Sequence, residues 1–259
     1  MKEKTFIKGK NIIKRQLIFE GEYLNGEKWR GKIMKYNEFG ELLFEGQYLN
    51  GKIMGKGKNY WHNILIFEGN YLNDKKDGKG KEYAIERNLL FEGEYLNGEK
   101  NEKSKEYFSG KLYFEGEYLN GEKNGKGKEF NNQGIIIFEG DYLNGKKNGN
   151  GKEYKNNELS FEGEYLNGKK NGKGKEFNDK SELIFEGEYL NGERWNGKGK
   201  EFFNNIKSFE GEYLNGKRWN GKGKEYFKKE LIFEGEYLNG KKWKGKIKEY
   251  KFDKLVFER

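Results

Sequence analysis

The sequence predicts an all-β protein, an elongated repeat array of antiparallel β-hairpins forming a single twisted sheet. Three observations carry that expectation. The phrase Phe-Glu-Gly-x-Tyr-Leu-Asn begins at Phe19, Phe44, Phe67, Phe91, Phe114, Phe138, Phe161, Phe185, Phe209 and Phe233, in steps of 23 to 25 residues. A period of that length marks a solenoid or array. Inside each copy the apolar residues alternate with period two, the spacing of a half-buried strand. In most copies Asn-Gly follows, a hairpin turn signal, and the absence of proline suits a chain of paired strands because each proline would remove a ladder donor.

Taken in order, residues 1–18 are a lead-in strand, residues 19–256 hold the ten repeats, and residues 257–259 begin an incomplete eleventh at Phe257. In the first repeat Leu17, Phe19, Gly21 and Tyr23 share one face, and Glu20 and Glu22 point to the other. After the hairpin connection a return strand follows, such as Lys126-Gly127-Lys128-Glu129-Phe130, and a second turn, such as Asn131-Asn132-Gln133-Gly134, leads to the next repeat. The glycine between two rings leaves a slot for a ring from a neighbouring strand. A lone hairpin buries too little to fold, so stacking on both neighbours supplies the difference. Glu162 and Glu164 are expected to face Lys173 and Lys175 across their hairpin, which fixes register and keeps the surface soluble. One position resists the alternation. If Gly125, Gly127 and Glu129 face inward, Phe130 faces outward, so either a bulge shifts the return strand or these aromatics form a second apolar face.

With 37% charged and 33% hydrophobic residues and a mean hydropathy of -1.17, the composition borders on that of a disordered chain. Order therefore depends on the spacing of the aromatic residues. The absence of cysteine excludes a disulfide framework and fits a reducing compartment. The start, MKEKTFIKGKN, has neither the apolar core of a secretory signal nor a glycine after Met, and no segment approaches 18 consecutive apolar residues. A soluble, intracellular, cytoplasmic chain is expected. Enzyme chemistry is not. His62, the single histidine, reads as a solvated turn residue, and the scattered serines assemble neither a nucleophile–base pair nor a metal site, so no catalytic residue, metal or cofactor is assigned. Gly-x-Gly without a following helix is not a phosphate loop.

The pattern Phe161-x-Gly163-x-Tyr165-x-Asn167-Gly168, followed by Gly172-x-Gly174, resembles the MORN repeat, and the resemblance runs over residues 17–259. It implies a twisted antiparallel sheet with an aromatic-lined groove, here Phe138, Tyr142, Phe161, Tyr165, Phe185, Tyr189, Phe209 and Tyr213, and a scaffold role at membranes or cytoskeletal structures, in some relatives as an end-to-end homodimer. In several relatives the array is attached to an enzyme; here it occupies essentially the entire chain, so no catalytic domain comes with the resemblance. Two repeats depart from the pattern. In repeat four, Asn101-Glu102-Lys103-Ser104-Lys105 lacks both return-strand glycines, and in repeat three Asp74 replaces the turn glycine, so a local change of twist is expected there.

The surplus charge of +9 falls largely near the hairpin turns, at Lys146-Lys147, Lys169-Lys170, Lys217-Arg218 and Lys241-Lys242. Stacked repeats would align these as a basic row. Toward the end of the chain each rung adds an indole, as Arg194-Trp195, Arg218-Trp219 and Lys242-Trp243, a combination suited to lipid headgroups or an acidic partner. The expectation is a non-enzymatic scaffold or adaptor that binds an anionic membrane surface or a protein partner through Arg194, Trp195, Arg218, Trp219, Lys241, Lys242 and Trp243. Two alternatives stand beside it: a peptide-binding groove with no membrane role, and weak nucleic-acid binding through the basic edge. The 43 interspersed acids argue against nucleic acid. An unpaired strand at Phe257-Glu258-Arg259 would offer an edge for homodimerisation.

Overall fold

A computed structural model of the chain describes residues 6–13, 16–203, 206–227, 230–251 and 254–258. Arg259, the last residue of the expected unpaired edge, lies outside them. Among the described residues all regular structure is β-strand, with no helix. The chain divides into two units, Met1–Ile135 with Leu143–Gly145, and Ile136–Tyr142 with Lys146–Arg259. In the first unit each strand from Phe6–Ile13 to Glu122–Phe130 pairs antiparallel with the next. In the second the same holds from Lys146–Lys155 to Lys254–Glu258. The fold class matches the expectation.

The repeat of residues 158–177 shows how the sequence builds one hairpin. Strand Glu158–Leu166 turns at Asn167 (φ 51°) and Gly168 (φ 87°), both left-handed as a two-residue hairpin turn with the twist of its strands requires, and returns as Lys169–Phe177. Gly163 faces Gly174 across the pair. A Cβ on Gly163 would lie 2.6 Å from Gly174 Cα and 2.8 Å from Phe161 Cζ, so the two glycines let the backbones approach under the ring of Phe161. That ring is fully buried and meets Tyr165 edge-on at 5.6 Å and Tyr189 of the next repeat at 5.1 Å. A continuous Phe–Tyr core thus runs along one face of each unit.

The Phe130 question has two answers at once. The register shifts between Glu153 and Tyr154, which leaves Ser160 as the extra residue before Phe161. The aromatics beyond that bulge still lie on the carboxylate face: the hydroxyls of Tyr60, Tyr83, Tyr107 and Tyr154 donate to Glu45, Glu68, Glu92 and Glu139 at 2.7–2.8 Å. A second bulge corrects one expected pair. Glu162 does face Lys175, but left-handed Gly172 (φ 94°) displaces the return strand, so Glu164 has no lysine opposite and Lys173 pairs in register with Glu188 of the next strand.

The tryptophan repeats use another register. Trp195, Trp219 and Trp243 lie beyond the turn, within the return strands Glu193–Phe203, Lys217–Phe227 and Lys241–Lys251, each as the extra residue of a bulge. There Gly187, Gly211 and Gly235 face the first return-strand glycine, Gly197, Gly221 and Gly245, where Gly163 faces the second. The first repeat pairs likewise, Gly21 with Gly31. In repeat four the ordinary register survives the loss of both glycines, with Ser104 opposite Gly93 and Glu102 left-handed at φ 55°. In repeat three Asp74 adopts φ 68° and its Oδ1 accepts the Ile53 amide at 2.9 Å.

Candidate functional site

The rings expected to line a groove are placed in the core. Phe138, Phe161, Phe185 and Phe209 are 0–1% exposed, and Tyr142, Tyr165, Tyr189 and Tyr213 no more than 8%. They are occupied by packing against one another. What covers them is the basic residue at the second position of their return strands, Lys147, Lys170, Arg194 and Arg218. Lys170 Nζ stands 4.1 Å from the centre of the Phe161 ring and 2.9 Å from Glu153. Arg194, Arg218 and Lys242 lie over Phe185, Phe209 and Phe233 and pair with Glu176, Glu201 and Glu225, at 2.8 Å for both Arg194 and Lys242. Register explains the inward turn: Lys170 faces Tyr165, and Arg194 faces Tyr189, on the core side.

Each carboxylate in this ladder holds two partners. Glu176 Oε2 accepts from Arg194 Nε at 2.8 Å and from the Tyr189 hydroxyl at 2.9 Å. Burial and the neighbouring Glu176 charge push the Tyr189 phenol up. Burial works against the charge of Arg194, but Glu176 holds it in the charged form, while for Arg218 the hydrogen bond to Glu201 comes first. Burial pushes Glu153 up, and the Lys170 ion pair and the Tyr165 hydroxyl outweigh it, leaving the carboxyl below the ordinary range. The ladder fixes charges in place: the phenols of Tyr189 and Tyr213 are held protonated, and Glu153, Glu201 and Glu225 are held ionised.

Of the remaining sequence-predicted residues, Lys241 is exposed. Trp195 and Trp219 are half-buried because each indole lies against the glycine of the following turn: a Cβ on Gly216 would be 3.8 Å from Trp195 Cε3, and one on Gly240 3.6 Å from Trp219 Cε3. Trp243 is 69% exposed. The three indoles therefore share a bulge position but not an environment. His62 sits in its turn with Nδ1 3.1 Å from Glu41. Among the described residues no cluster of His, Asp or Glu is placed to hold a metal.

Two features escape the sequence reading. The first is a clamp between consecutive turns. The Gly192 amide donates to the Lys170 carbonyl at 2.8 Å and the Asn191 amide to Asn171 Oδ1 at 3.3 Å, and Asn215 and Asn239 use Asn196 and Asn220 in the same way. The signal was the Asn that precedes the return-strand glycine. The second is a run of exposed apolar residues on the connections at the opposite ends of the strands in the first unit: Phe39 (82% exposed), Trp61, Ile85 and Phe108 (66%). Irregular placement hid them, since Phe39 and Ile85 lie in five-residue connections and Trp61 and Phe108 end strands.

The MORN repeat model matches this chain at residues 44–63, 67–84, 114–135, 138–158, 161–181 and 209–230. Those six segments are similar to the MORN repeat, which in general serves in protein- or membrane-binding scaffolds. No curated protein matches it. Among solved structures it is similar to the crystal structure of TcdB2-TccC3 without its hypervariable C-terminal region, at 9% identity and a TM-score of 0.21, covering 98% of this chain and 15% of that one. A likeness at that score carries no argument.

Proposed function

We propose that the chain is a non-enzymatic scaffold of ten MORN-like hairpins whose partner is a protein held at the connection edge of the first unit. The observation that carries this reading is the exposure of Phe39, Trp61, Ile85 and Phe108 in or directly beside successive connections, while the Phe–Tyr core of the repeats is buried. Large apolar side chains that no repeat needs for its own packing are the anchors an interface uses. The same connections carry Glu38 and Glu86 beside Arg87 and Lys111, so attraction there does not depend on one sign of charge. In the second unit Lys170, Arg194, Arg218 and Lys242 are already ion-paired, which leaves them less available to an anionic membrane. The double variant Phe39→Ser, Phe108→Ser tests the reading. It is expected to melt with the parent and to lose a partner that the parent retains when cross-linked in its own cytoplasm. Retention by the variant would overturn the reading.

One observation favours a second reading, contact with an anionic membrane: Trp243 is exposed beside exposed Lys241. Sedimentation with vesicles that rises with phosphatidylserine content, falls with salt and is lost in Trp243→Ala would put the membrane reading first.

A further inference from the structure

Nine turns of this protein share the sequence Tyr-Leu-Asn-Gly, from Asn25 to Asn239, and all nine asparagines adopt φ of 49–53°. Local sequence and local conformation are thus held constant. What differs is the fate of the glycine amide. In the seven turns from Asn97-Gly98 to Asn239-Gly240 the glycine N–H donates to a carbonyl of the preceding repeat at 2.8–2.9 Å. In the second repeat the bond moves by one residue: the Asn50 N–H takes the Trp29 carbonyl at 2.7 Å, and among the described residues Gly51 N–H has no acceptor. Among the described residues Gly26 N–H has none either.

That amide is the nucleophile in the spontaneous deamidation of Asn-Gly. Its nitrogen gives up a proton to solvent base and attacks the asparagine Cγ. A C–N bond forms, the Cγ–Nδ2 bond breaks, and ammonia leaves with one proton returned from solvent. Water then opens the resulting succinimide at either carbonyl to give aspartate or isoaspartate, with no change of oxidation state. A glycine N–H bonded to a carbonyl must first release it, and the nitrogen is held in the turn while the bond lasts. We propose that Asn50 and Asn25 are the deamidation sites of the folded chain, and that the preceding repeat protects the other seven. Each event at Asn50 or Asn25 replaces a neutral side chain by a carboxylate, and isoaspartate adds a backbone methylene to a turn whose two-residue length fixes strand register. The array ages from its early repeats.

The nine peptides serve as one another's controls. The full chain is incubated in mildly alkaline oxygen-18 water, with and without denaturant, and each turn is read by peptide mapping with isoaspartate-specific fragmentation. In native buffer Asn50 and Asn25 are expected to incorporate label at least about fivefold faster than Asn167 and Asn191, the factor that one hydrogen bond supplies. In denaturant all nine are expected to react alike. Uniform native rates, or Asn167 and Asn191 reacting ahead of Asn50, would overturn the proposal. So would an order that persists in denaturant, since the differences would then belong to flanking sequence.

Discussion

Arg194 and Trp195 are neighbours in sequence and separate in role. Arg194 turns into the core face, over Phe185 and onto Glu176, while Trp195 is the bulged residue whose indole covers Gly216. A basic residue beside a tight turn looks solvent-exposed from sequence. The parity that sends it inward appears only once it is paired with Tyr189. The same contrast divides the indoles, so turn-edge side chains do not contribute alike. Trp195→Ala and Trp219→Ala are each expected to lower stability by about 1–2 kcal/mol, because a half-buried indole loses its cover over the next turn. Trp243→Ala should stay within about 0.5 kcal/mol. Urea titrations of the three single variants check this, and equal losses in all three would contradict the packing assigned to Trp195 and Trp219.

At the scale of the hairpin, the two facing glycines are not equivalent. A Cβ on Gly163 would strike backbone, at 2.6 Å from both Gly174 Cα and the Lys173 carbonyl oxygen. One on Gly174 would meet the ring of Phe161 at 2.7 Å, and a ring can shift where backbone cannot. Repeat four already carries Ser104 in place of the second glycine, opposite Gly93. Gly163→Ala is therefore expected to cost about 3 kcal/mol or more and Gly174→Ala about 1–2 kcal/mol, measured by denaturant unfolding. The left-handed Glu102 makes the reverse case: Glu102→Gly should raise stability by about 1 kcal/mol, since glycine adopts that conformation without steric cost. Strands, turns and the Phe–Gly–Tyr core were legible because alternation and Asn-Gly are local signals. The bulges were not. Whether Gly172 takes a left-handed conformation or Trp195 is looped out depends on which cross-strand partner each residue finds, and one slip changes the face of every residue beyond it. The exposed Phe39 and Phe108 stayed hidden for the opposite reason, since Phe39 lies in a connection that obeys no period and Phe108 ends its strand beside one.

At the scale of the whole molecule, the repetition that makes the core also repeats its titrations, so small shifts add in one direction. Glu82, Glu106, Glu153, Glu201 and Glu225 are each pushed up by burial and brought below their ordinary 4.5 by a lysine or arginine together with a tyrosine hydroxyl. A carboxyl whose folded value lies below its unfolded one binds fewer protons when folded. Its contribution is complete above about 4.5 and is lost as pH falls through the folded value. Tyr60, Tyr83, Tyr107 and Tyr154 shift the other way, pushed from 10.0 up to about 12 by burial and by the carboxylates that accept their hydroxyls. The folded chain then holds protons that the unfolded chain has released, so this contribution is complete below 10.0 and declines as pH rises toward 12. Stability is expected to form a plateau between about pH 5 and 9 with losses on both sides, the acid side set by the core-face ladder and the alkaline side by the raised tyrosines of both faces. Urea midpoints across pH test it, and the variant Tyr83→Phe, Tyr107→Phe, Tyr154→Phe separates the two arms. It should reduce the alkaline loss, the core tyrosines supplying the rest, and leave the acid loss in place, whereas an unchanged alkaline limb would show that those three phenols contribute nothing to it.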